Sequence, residues 1–194
     1  MKQKLNLIFT FVFTVLPLVA CTFSVDVAPT VMPSPTAAVG GAELCPAETA
    51  QAKLLRNDAE GYCFLYPADF VVVPPRFVVI NPITAPGDQP GDAWVDVSVV
   101  AGNGRTAEEF VADEIAAAGV GFEIHQEQRT VDYTIATVVD GLPGPDSMRK
   151  VFVISYDRLY TFTFMPWGQN AELPALYESI MKTLRFLPPS APLQ

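Results

Sequence analysis

The sequence predicts an α+β fold in which an antiparallel β-sheet packs against helices. Three observations carry this prediction. Short β-branched and aromatic runs alternate in hydrophobicity, two amphipathic helix patterns lie far apart in the chain, and the connections between successive strand patterns are short. Short connections join antiparallel neighbours, so the strands are expected to form hairpins.

The first predicted hairpin pairs residues 53–56 with residues 62–66 across the polar stretch NDAEG. Such a stretch is typical of a hairpin with a longer loop. A helix over residues 47–55 is the alternative, because Ala, Gln, Lys and Leu favour helices.

Prolines divide the next apolar segment, FVVVPPRFVVINP. Because proline lacks the hydrogen-bond donor of a β-ladder, this segment is not one central strand, and residues 77–81 are the predicted strand. Residues 94–100 follow after a Gly/Pro/Asp loop. Their alternation places Val95, Val97 and Val99 on one face.

A helix is predicted after residue 106. Thr106 and Glu109 have the spacing of a capping box, in which each side chain accepts a hydrogen bond from the other residue's backbone. An apolar stripe continues at helical spacing until Gly119 and Gly121 end it. Its members are Phe110, Val111, Ile115 and Ala118.

Four strands and a closing helix complete the predicted fold. The strands cover residues 122–131, 134–139, 149–156 and 159–165, with a tight turn at residues 156–159. In the last strand one face carries Tyr160, Phe162 and Phe164. The closing helix lies within residues 172–187, with a stripe of Leu176, Ile180, Met181 and Leu184.

This order of elements resembles the PsbP-like α/β/α sandwich. The resemblance rests on the segment GYCFLYP after a short hairpin, the helix after the middle strand, the paired strands RKVFVISYDRLYTFTFMP and a last helix ending in TLRF. The grouping includes the extrinsic PsbP protein of the oxygen-evolving complex and many small bacterial lipoproteins. It covers about residues 50–187 and implies a sandwich without a shared catalytic set. Cys45 and Cys63 are additional to its common pattern.

The N-terminus has the pattern of an export signal. Lys2 and Lys4 precede an apolar run that ends at Ala20. A transmembrane helix would need about 20 apolar residues, and this run is shorter and contains Pro17. It ends in Leu-Val-Ala-Cys21, which resembles the lipobox of bacterial lipoproteins. The resemblance implies cleavage before Cys21 and lipid attachment to its sulfur. An ordinary secretory leader is the alternative.

The sequence therefore divides into four predicted parts. Residues 1–20 are a lipoprotein signal peptide, 21–42 a flexible Pro/Thr-rich tether, 43–187 a single α+β domain and 188–194 a disordered, proline-rich tail. The predicted location is the extracytoplasmic side of the cell membrane, with the lipid on Cys21 as the membrane contact.

The charge balance is acidic. Removal of Lys2 and Lys4 reduces the twelve basic residues to ten, against twenty-one acidic residues. Nucleic acids and anionic lipid surfaces attract clustered Lys and Arg, so we expect neither nucleic-acid binding nor a polybasic membrane contact.

With Cys21 assigned to lipid, Cys45 and Cys63 form an even pair. In an exported protein a disulfide is expected, and on the chain-entropy model it would contribute roughly 3 kcal/mol. Two free thiols or a metal site are the alternatives. The sequence has a single histidine and no C-x-x-C spacing to support a metal.

The sequence contains no motif that indicates catalytic chemistry. The one histidine, His125, lies on a predicted strand without a G-x-S-x-G nucleophile motif. Phosphate-cradling glycine motifs are also absent from the sequence. The four loop aspartates are expected to cap turns and not to bind calcium. They are Asp88, Asp92, Asp140 and Asp146. The sequence thus predicts no enzyme, no metal and no cofactor.

Aromatic residues gather in two stretches, 62–70 and 156–167, that are expected mostly to fill the core. Trp94 and Trp167, each beside a Gly/Pro loop, are the candidate ligand-binding residues. The predicted role is non-enzymatic, either partner binding or an accessory function in the cell envelope, with an envelope protein as the partner. The alternative is a solute or glycan receptor with an aromatic-lined groove; a hydrolase ranks last. A large pocket at either tryptophan would favour the receptor.

Overall fold

A computed structural model describes residues 44–73, 78–80 and 93–193, with the backbone alone for residues 78–80. These residues belong to one compact unit, Val39–Gln194. The predicted signal peptide, the lipid site Cys21, the tether, Asp88 and Asp92 all lie outside the described residues.

Ten strands and two helices form the described part of the chain. In chain order they are β1 (Ala52–Asn57), β2 (Tyr62–Pro67), β3 (Val71–Val73), β4 (Val78–Ile80), β5 (Trp94–Ala101), α1 (Ala107–Ala118), β6 (His125–Val131), β7 (Thr134–Asp140), β8 (Arg149–Ser155), β9 (Arg158–Met165), α2 (Leu173–Thr183) and β10 (Arg185–Phe186).

The strands form two sheets. The larger has seven strands in the order β3-β4-β5-β9-β8-β7-β6, and the smaller has three in the order β1-β2-β10. All of the paired neighbours run antiparallel. The α+β class with an antiparallel sheet packed against helices, predicted from the sequence, is therefore confirmed.

The seven-stranded sheet is covered on both faces. One face carries Val97, Val151 and Phe162, which pack in a large core with α2 and the small sheet. The opposite face carries Phe152 and Leu159, which pack in a second core with α1. Because neighbouring residues of a strand point to opposite faces, a single strand such as β8 supplies both cores.

Helix α1 begins at the predicted capping box. The Thr106 hydroxyl accepts a hydrogen bond from Glu109 N at 3.3 Å, and the Glu109 carboxylate accepts one from Thr106 N at 2.8 Å. Val111 is buried, and the other three members of the predicted stripe pack against the same core. The helix ends where Gly119 adopts a φ of 78°.

Helix α2 buries its predicted stripe completely but is shorter than the predicted segment. It ends at Thr183 because the next residues leave the helix and pair with β2 as β10. The Thr183 hydroxyl accepts a hydrogen bond from Leu65 N at 2.9 Å, which ties this end of the helix to β2.

Three local predictions differ from the structure. The helical alternative for residues 47–55 is wrong, since β1 pairs along its whole length with β2. The strand after α1 begins at His125 and not at residue 122. The turn between β8 and β9 contains only Tyr156 and Asp157, because Ser155 already pairs with Arg158.

The residues after β10 lie along the turn between β1 and β2, where the sequence predicts a fraying tail. Leu187 N donates to Gly61 O at 2.9 Å, and Ser190 N donates to Asp58 O at 2.8 Å. Gly61 has a φ of +85°, and a Cβ there would lie 2.5 Å from the Leu187 carbonyl oxygen. The proline-rich segment therefore donates hydrogen bonds to backbone carbonyl groups of the β1–β2 turn. Its composition alone does not predict these hydrogen bonds.

Candidate functional site

The two aromatic stretches face each other and fill the large core. Tyr62 and Phe64 of β2 contact Phe162 of β9 edge-on, with ring centroids 6.3 and 6.1 Å apart. Tyr160 contacts Tyr62 in the same way at 6.0 Å. These rings are fully buried. They therefore hold the sandwich together and are closed to a ligand, as the sequence predicts for most of them.

Trp94 lies at the start of β5, between Ile80 and Met165 of the neighbouring strands. It is half-buried, and its side chain points away from the face that holds Val95. Its role as a ligand-binding residue stays a prediction.

Trp167 lies between two loops, where the chain leaves β9. Its backbone N–H donates to Ser147 O at 2.7 Å, and the Ser147 hydroxyl donates to Trp167 O at 2.5 Å. The ring is half-buried and meets the buried ring of Tyr177 edge-on at 5.4 Å. Both the backbone and one ring edge of Trp167 are thus held in place.

Two arginines, one on β6 and one on β8 with β7 between them, complete what we call the Trp167 cluster: Trp167, Tyr177, Arg129 and Arg149. The Arg149 guanidinium carbon is 4.0 Å from the centroid of Trp167 and 5.0 Å from that of Tyr177. The Arg129 guanidinium carbon is 5.0 Å from the centroid of Tyr177. These separations are those of cation–π contacts.

Each guanidinium is also neutralised by a carboxylate. Arg149 donates to both oxygens of Asp140 at 2.9 and 2.6 Å, and Arg129 donates to both oxygens of Glu178 at 2.8 Å. These bidentate hydrogen bonds raise the pKa of each arginine, and the one from Arg129 lowers the pKa of Glu178. Asp140 therefore pairs with an arginine at the end of β7 and does not cap a loop.

The cluster is suited to contacts with another molecule and not to anion binding. Its guanidiniums are paired with carboxylates and are not free to hold an anion. The indole of Trp167 is partly buried, and Arg149 contacts the face of its ring. Tryptophan, tyrosine and arginine are the residue types that contribute most binding energy at protein interfaces. Sequence reasoning named Trp167 but missed both arginines. The only available signal was the opposition of Arg149 and Asp140 in a β7–β8 hairpin.

His125 is exposed at the start of β6. Its nearest charged group is the Glu123 carboxylate at 3.4 Å, on a side chain that is itself exposed. Asp146 is exposed on the loop after β7. Among the described residues, no three His, Cys, Asp or Glu side chains form a group that could hold a metal ion.

Two cavities lie elsewhere on the molecule. One, of about 340 Å³, is lined by Glu60, Val99, Arg158 and residues 191–193, together with Ala59. The other, of about 390 Å³, lies between the end of α1 and the Leu142-Pro143 loop. Neither includes Trp94 or Trp167, so neither supplies the aromatic-lined groove that the receptor alternative requires.

The predicted disulfide joins Cys45 to Cys63. The two Sγ atoms are 2.09 Å apart and the Cα atoms 5.9 Å apart. Cys63 is fully buried in the middle strand of the small sheet. The bond therefore anchors the start of the described chain to the centre of that sheet.

In the described ranges, neither helix has the length and apolar character needed to span a membrane.

Comparison with solved structures finds distant similarities. The chain is similar to the solution structure of cyanobacterial PsbP (CyanoP) from Synechocystis sp. PCC 6803, with 16% identity and a TM-score of 0.43 over 79% of this chain and 99% of that one. No protein-family model matches the chain, and no curated protein does. A similarity at this level carries no argument on function. The α+β class stands on the strands and helices described above.

Proposed function

We propose that this protein is a lipid-anchored, extracytoplasmic and non-enzymatic binding protein whose Trp167 cluster contacts a protein partner. In this proposal residues 1–20 direct export, Cys21 carries the lipid and residues 21–42 hold the α+β domain away from the membrane. The prediction that the chain is not an enzyme belongs to the same proposal.

The single observation that supports partner binding is that Trp167 is held in a fixed position. Two hydrogen bonds fix the backbone of Trp167, and its partly buried indole contacts the ring of Tyr177 and the guanidinium of Arg149. Since its geometry is set before binding, little side-chain entropy would be lost when a partner covers it. Pre-organised Trp, Tyr and Arg side chains are the residues from which interface hot spots are built.

The charge of the chain indicates the chemistry of the partner. The formal net charge is −9 at pH 7, and loss of Lys2 and Lys4 with the signal peptide makes it −11, from ten basic and twenty-one acidic residues. Asp140 and Glu178, beside the cluster, are neutralised by its arginines, so the expectation rests on the charge of the whole chain. An acidic surface accelerates association with a basic one. We therefore expect a partner that places a basic surface over Trp167.

Site-specific photo-cross-linking in intact cells tests this proposal. A photoreactive amino acid at position 167 is expected to give one discrete adduct with another protein. The same amino acid at position 156 is the matched control, because Tyr156 is 54% exposed, more than the partly buried Trp167, and lies on the β8–β9 turn, away from the cluster. Equal adducts at both positions, or none at 167, would contradict the proposal.

With the cross-linked partner purified, Trp167→Ala in the full chain is expected to weaken binding by roughly 30-fold or more, as for a hot-spot residue. Tyr156→Ala should change the affinity by less than about threefold, as for a residue outside the interface. The predicted partner surface is basic, so the affinity of the parent chain should fall as salt is raised.

The lipid anchor has its own test. Cys21→Ser is expected to abolish incorporation of labelled palmitate and to remove the mature protein from the membrane fraction. An acylated, membrane-bound Cys21→Ser protein would exclude Cys21 as the lipid site, whatever the outcome for partner binding.

A further inference from the structure

Strand β6 forms one edge of the seven-stranded sheet, and within the described residues it pairs with β7 alone. It contains seven residues, HQEQRTV, with no proline or glycine, and the first four side chains are exposed. Natural edge strands are usually short, or carry proline, a bulge or charged side chains that prevent pairing. This edge has no proline or glycine and is seven residues long, and its two charges, Glu127 and Arg129, have opposite signs.

We propose that β6 pairs antiparallel with β6 of a second copy of this chain, about a two-fold axis at Gln128, so that the two sheets join into one. The observation that points to a second copy is the self-complementary sequence of the strand, in which Glu127 and Arg129 lie on either side of Gln128.

The backbone geometry limits the possible registers. Val131 and Thr134 flank the two-residue turn Asp132-Tyr133, in which both φ angles are positive. In such a hairpin the flanking residues form a hydrogen-bonded pair, and hydrogen-bonded positions then alternate along the strand. Residues 125, 127, 129 and 131 thus face β7, and the backbone groups of residues 126, 128 and 130 face outward.

A two-fold axis at Gln128 matches these outward groups with their own copies. Gln128 opposes Gln128 of the second copy, and Gln126 opposes Thr130 in two symmetric pairs. All three are hydrogen-bonded positions, so the junction would form about six backbone hydrogen bonds. An axis between two residues would oppose outward groups with β7-facing groups and lose these bonds. An axis at residue 127 or 129 would keep outward groups paired, but it would oppose Glu127 with Glu127, or Arg129 with Arg129, of the second copy.

Charge complementarity supports the same register. Glu127 opposes Arg129 of the second copy twice, at non-hydrogen-bonded positions, where Cα atoms are only about 4.5 Å apart. Opposite charges at such positions stabilise a strand pair. Within one chain, the nearest described guanidinium to Glu127 is that of Arg149, at the long distance of 3.9 Å, and the Glu127 side chain is 61% exposed. Arg129 of the second copy is already paired with Glu178, so the second copy would place a shared positive charge opposite Glu127 and not a separate ion pair.

The ends of the strand carry exposed aromatic rings. Phe122 lies before β6 and is 49% exposed, and Tyr133 lies after it and is 98% exposed. The two-fold axis brings the end that carries Phe122 alongside the end that carries Tyr133 of the second copy. Isologous pairing thus covers two exposed rings on each chain.

Cysteine cross-linking of the full chain in cell membranes tests this inference. Gln128→Cys is expected to form a disulfide-linked homodimer under mild oxidation, because opposed hydrogen-bonded residues have Cα atoms about 5.5 Å apart, within the range of a disulfide. Gln126→Cys is the matched control. Its Cα would lie roughly 14 Å from its own copy, four residues along the strand.

Gln128→Pro tests the backbone pairing. It removes an outward N–H and leaves the β6–β7 ladder intact, so the fold should persist. Loss of two hydrogen bonds per dimer is expected to weaken self-association about 30-fold, as measured by sedimentation of the purified full chain in detergent. Near-ultraviolet circular dichroism checks that the fold is unchanged, and Gln128→Ala should self-associate like the parent.

Four results would overturn the inference. They are a maleimide-reactive Gln128→Cys protein that gives no homodimer, equal cross-linking at position 126, a cross-link from position 128 to a different protein only, and undiminished self-association of Gln128→Pro.

Discussion

Tyr160 and Tyr177 are both buried tyrosines, but their hydroxyl groups have different surroundings. The Tyr160 hydroxyl donates to Glu60 O at 2.8 Å. Within the described ranges the Tyr177 hydroxyl makes no hydrogen bond of good geometry, and the pKa of Arg129 is raised mainly by Glu178 and only secondarily by this hydroxyl. A buried polar group without a partner keeps its desolvation cost, whereas a satisfied one contributes a net gain.

We therefore expect Tyr177→Phe to leave stability unchanged or to raise it by up to about 1 kcal/mol, and Tyr160→Phe to lower it by about 1 kcal/mol. Urea unfolding of the two variants measures both effects. The prediction fails if Tyr177→Phe is the more destabilised of the two.

Glu178 makes stability depend on pH. Hydrogen bonds from Arg129 lower its pKa below the ordinary value of 4.5, so the fold favours the ionised form. The stabilisation is present above that ordinary value and is lost as the pH falls through the lowered pKa. Because the Glu178 side chain is 62% exposed, solvent keeps the contribution below about 1 kcal/mol.

Glu178→Gln is accordingly expected to lower stability slightly at pH 7 and to flatten the loss of stability below pH 4.5. Thermal unfolding across this range is the measurement. Glu123→Gln, which removes an exposed carboxylate that has no arginine contact in the described region, should retain the slope of the parent. An unchanged slope for Glu178→Gln would show that the pair with Arg129 does not couple to folding.

The start of helix α1 depends on one side chain. The Thr106 hydroxyl satisfies an amide that the helix itself leaves unpaired. Thr106→Ala is expected to destabilise the fold by about 1 kcal/mol, and Thr106→Ser by much less because serine caps equally well. Chemical denaturation of both variants checks this, and equal losses would rule out the cap as the cause.

The β6–β7 turn carries avoidable strain. Asp132 and Tyr133 have φ angles of 45° and 63°, and the Tyr133 side chain is almost fully exposed. Asp-Gly is the preferred sequence for such a turn. Tyr133→Gly is thus expected to stabilise the monomer by up to about 1 kcal/mol, because glycine adopts positive φ without a steric cost. Unfolding at low protein concentration measures it, and a net loss would contradict the turn assignment.

Local chemistry explains which elements the sequence could predict. The capping box of α1 and the alternation of Tyr160, Phe162 and Phe164 are short-range patterns, and both predictions are confirmed. Residues 185–186 follow a helical pattern, but pairing with β2 takes precedence over it. The partner of residues 185–186 is more than a hundred residues earlier in the chain, so the local sequence does not indicate this pairing.

For the whole molecule, the Cys45–Cys63 bond is the clearest source of stability outside the core. Removing it with Cys45→Ser and Cys63→Ser together is expected to cost roughly 3 kcal/mol, as the chain-entropy model gives for a loop of this length. Reversible denaturation with and without reductant measures the cost. The double variant should be insensitive to reductant, and equal stability of the parent in both conditions would refute the estimate.

The candidate site was predictable only in part for a related reason. Trp167 stands out in the sequence as a tryptophan beside a Gly/Pro loop. Arg129 and Arg149 are 20 residues apart on separate strands, and Tyr177 lies on a helix. Their meeting depends on sheet register and on where α2 crosses the sheet, which only the assembled fold defines.

If the chain is exported as proposed, the position of β2 between β1 and β10 sets an order of folding events. Its hairpin with β1 and the Cys45–Cys63 bond need only the first part of the domain, so both can form while the remaining chain is still crossing the membrane. The other edge of β2 can pair only after residues 185–186, which form β10, have been translocated. Until residues 185–186 emerge, β2 has only β1 beside it in the small sheet.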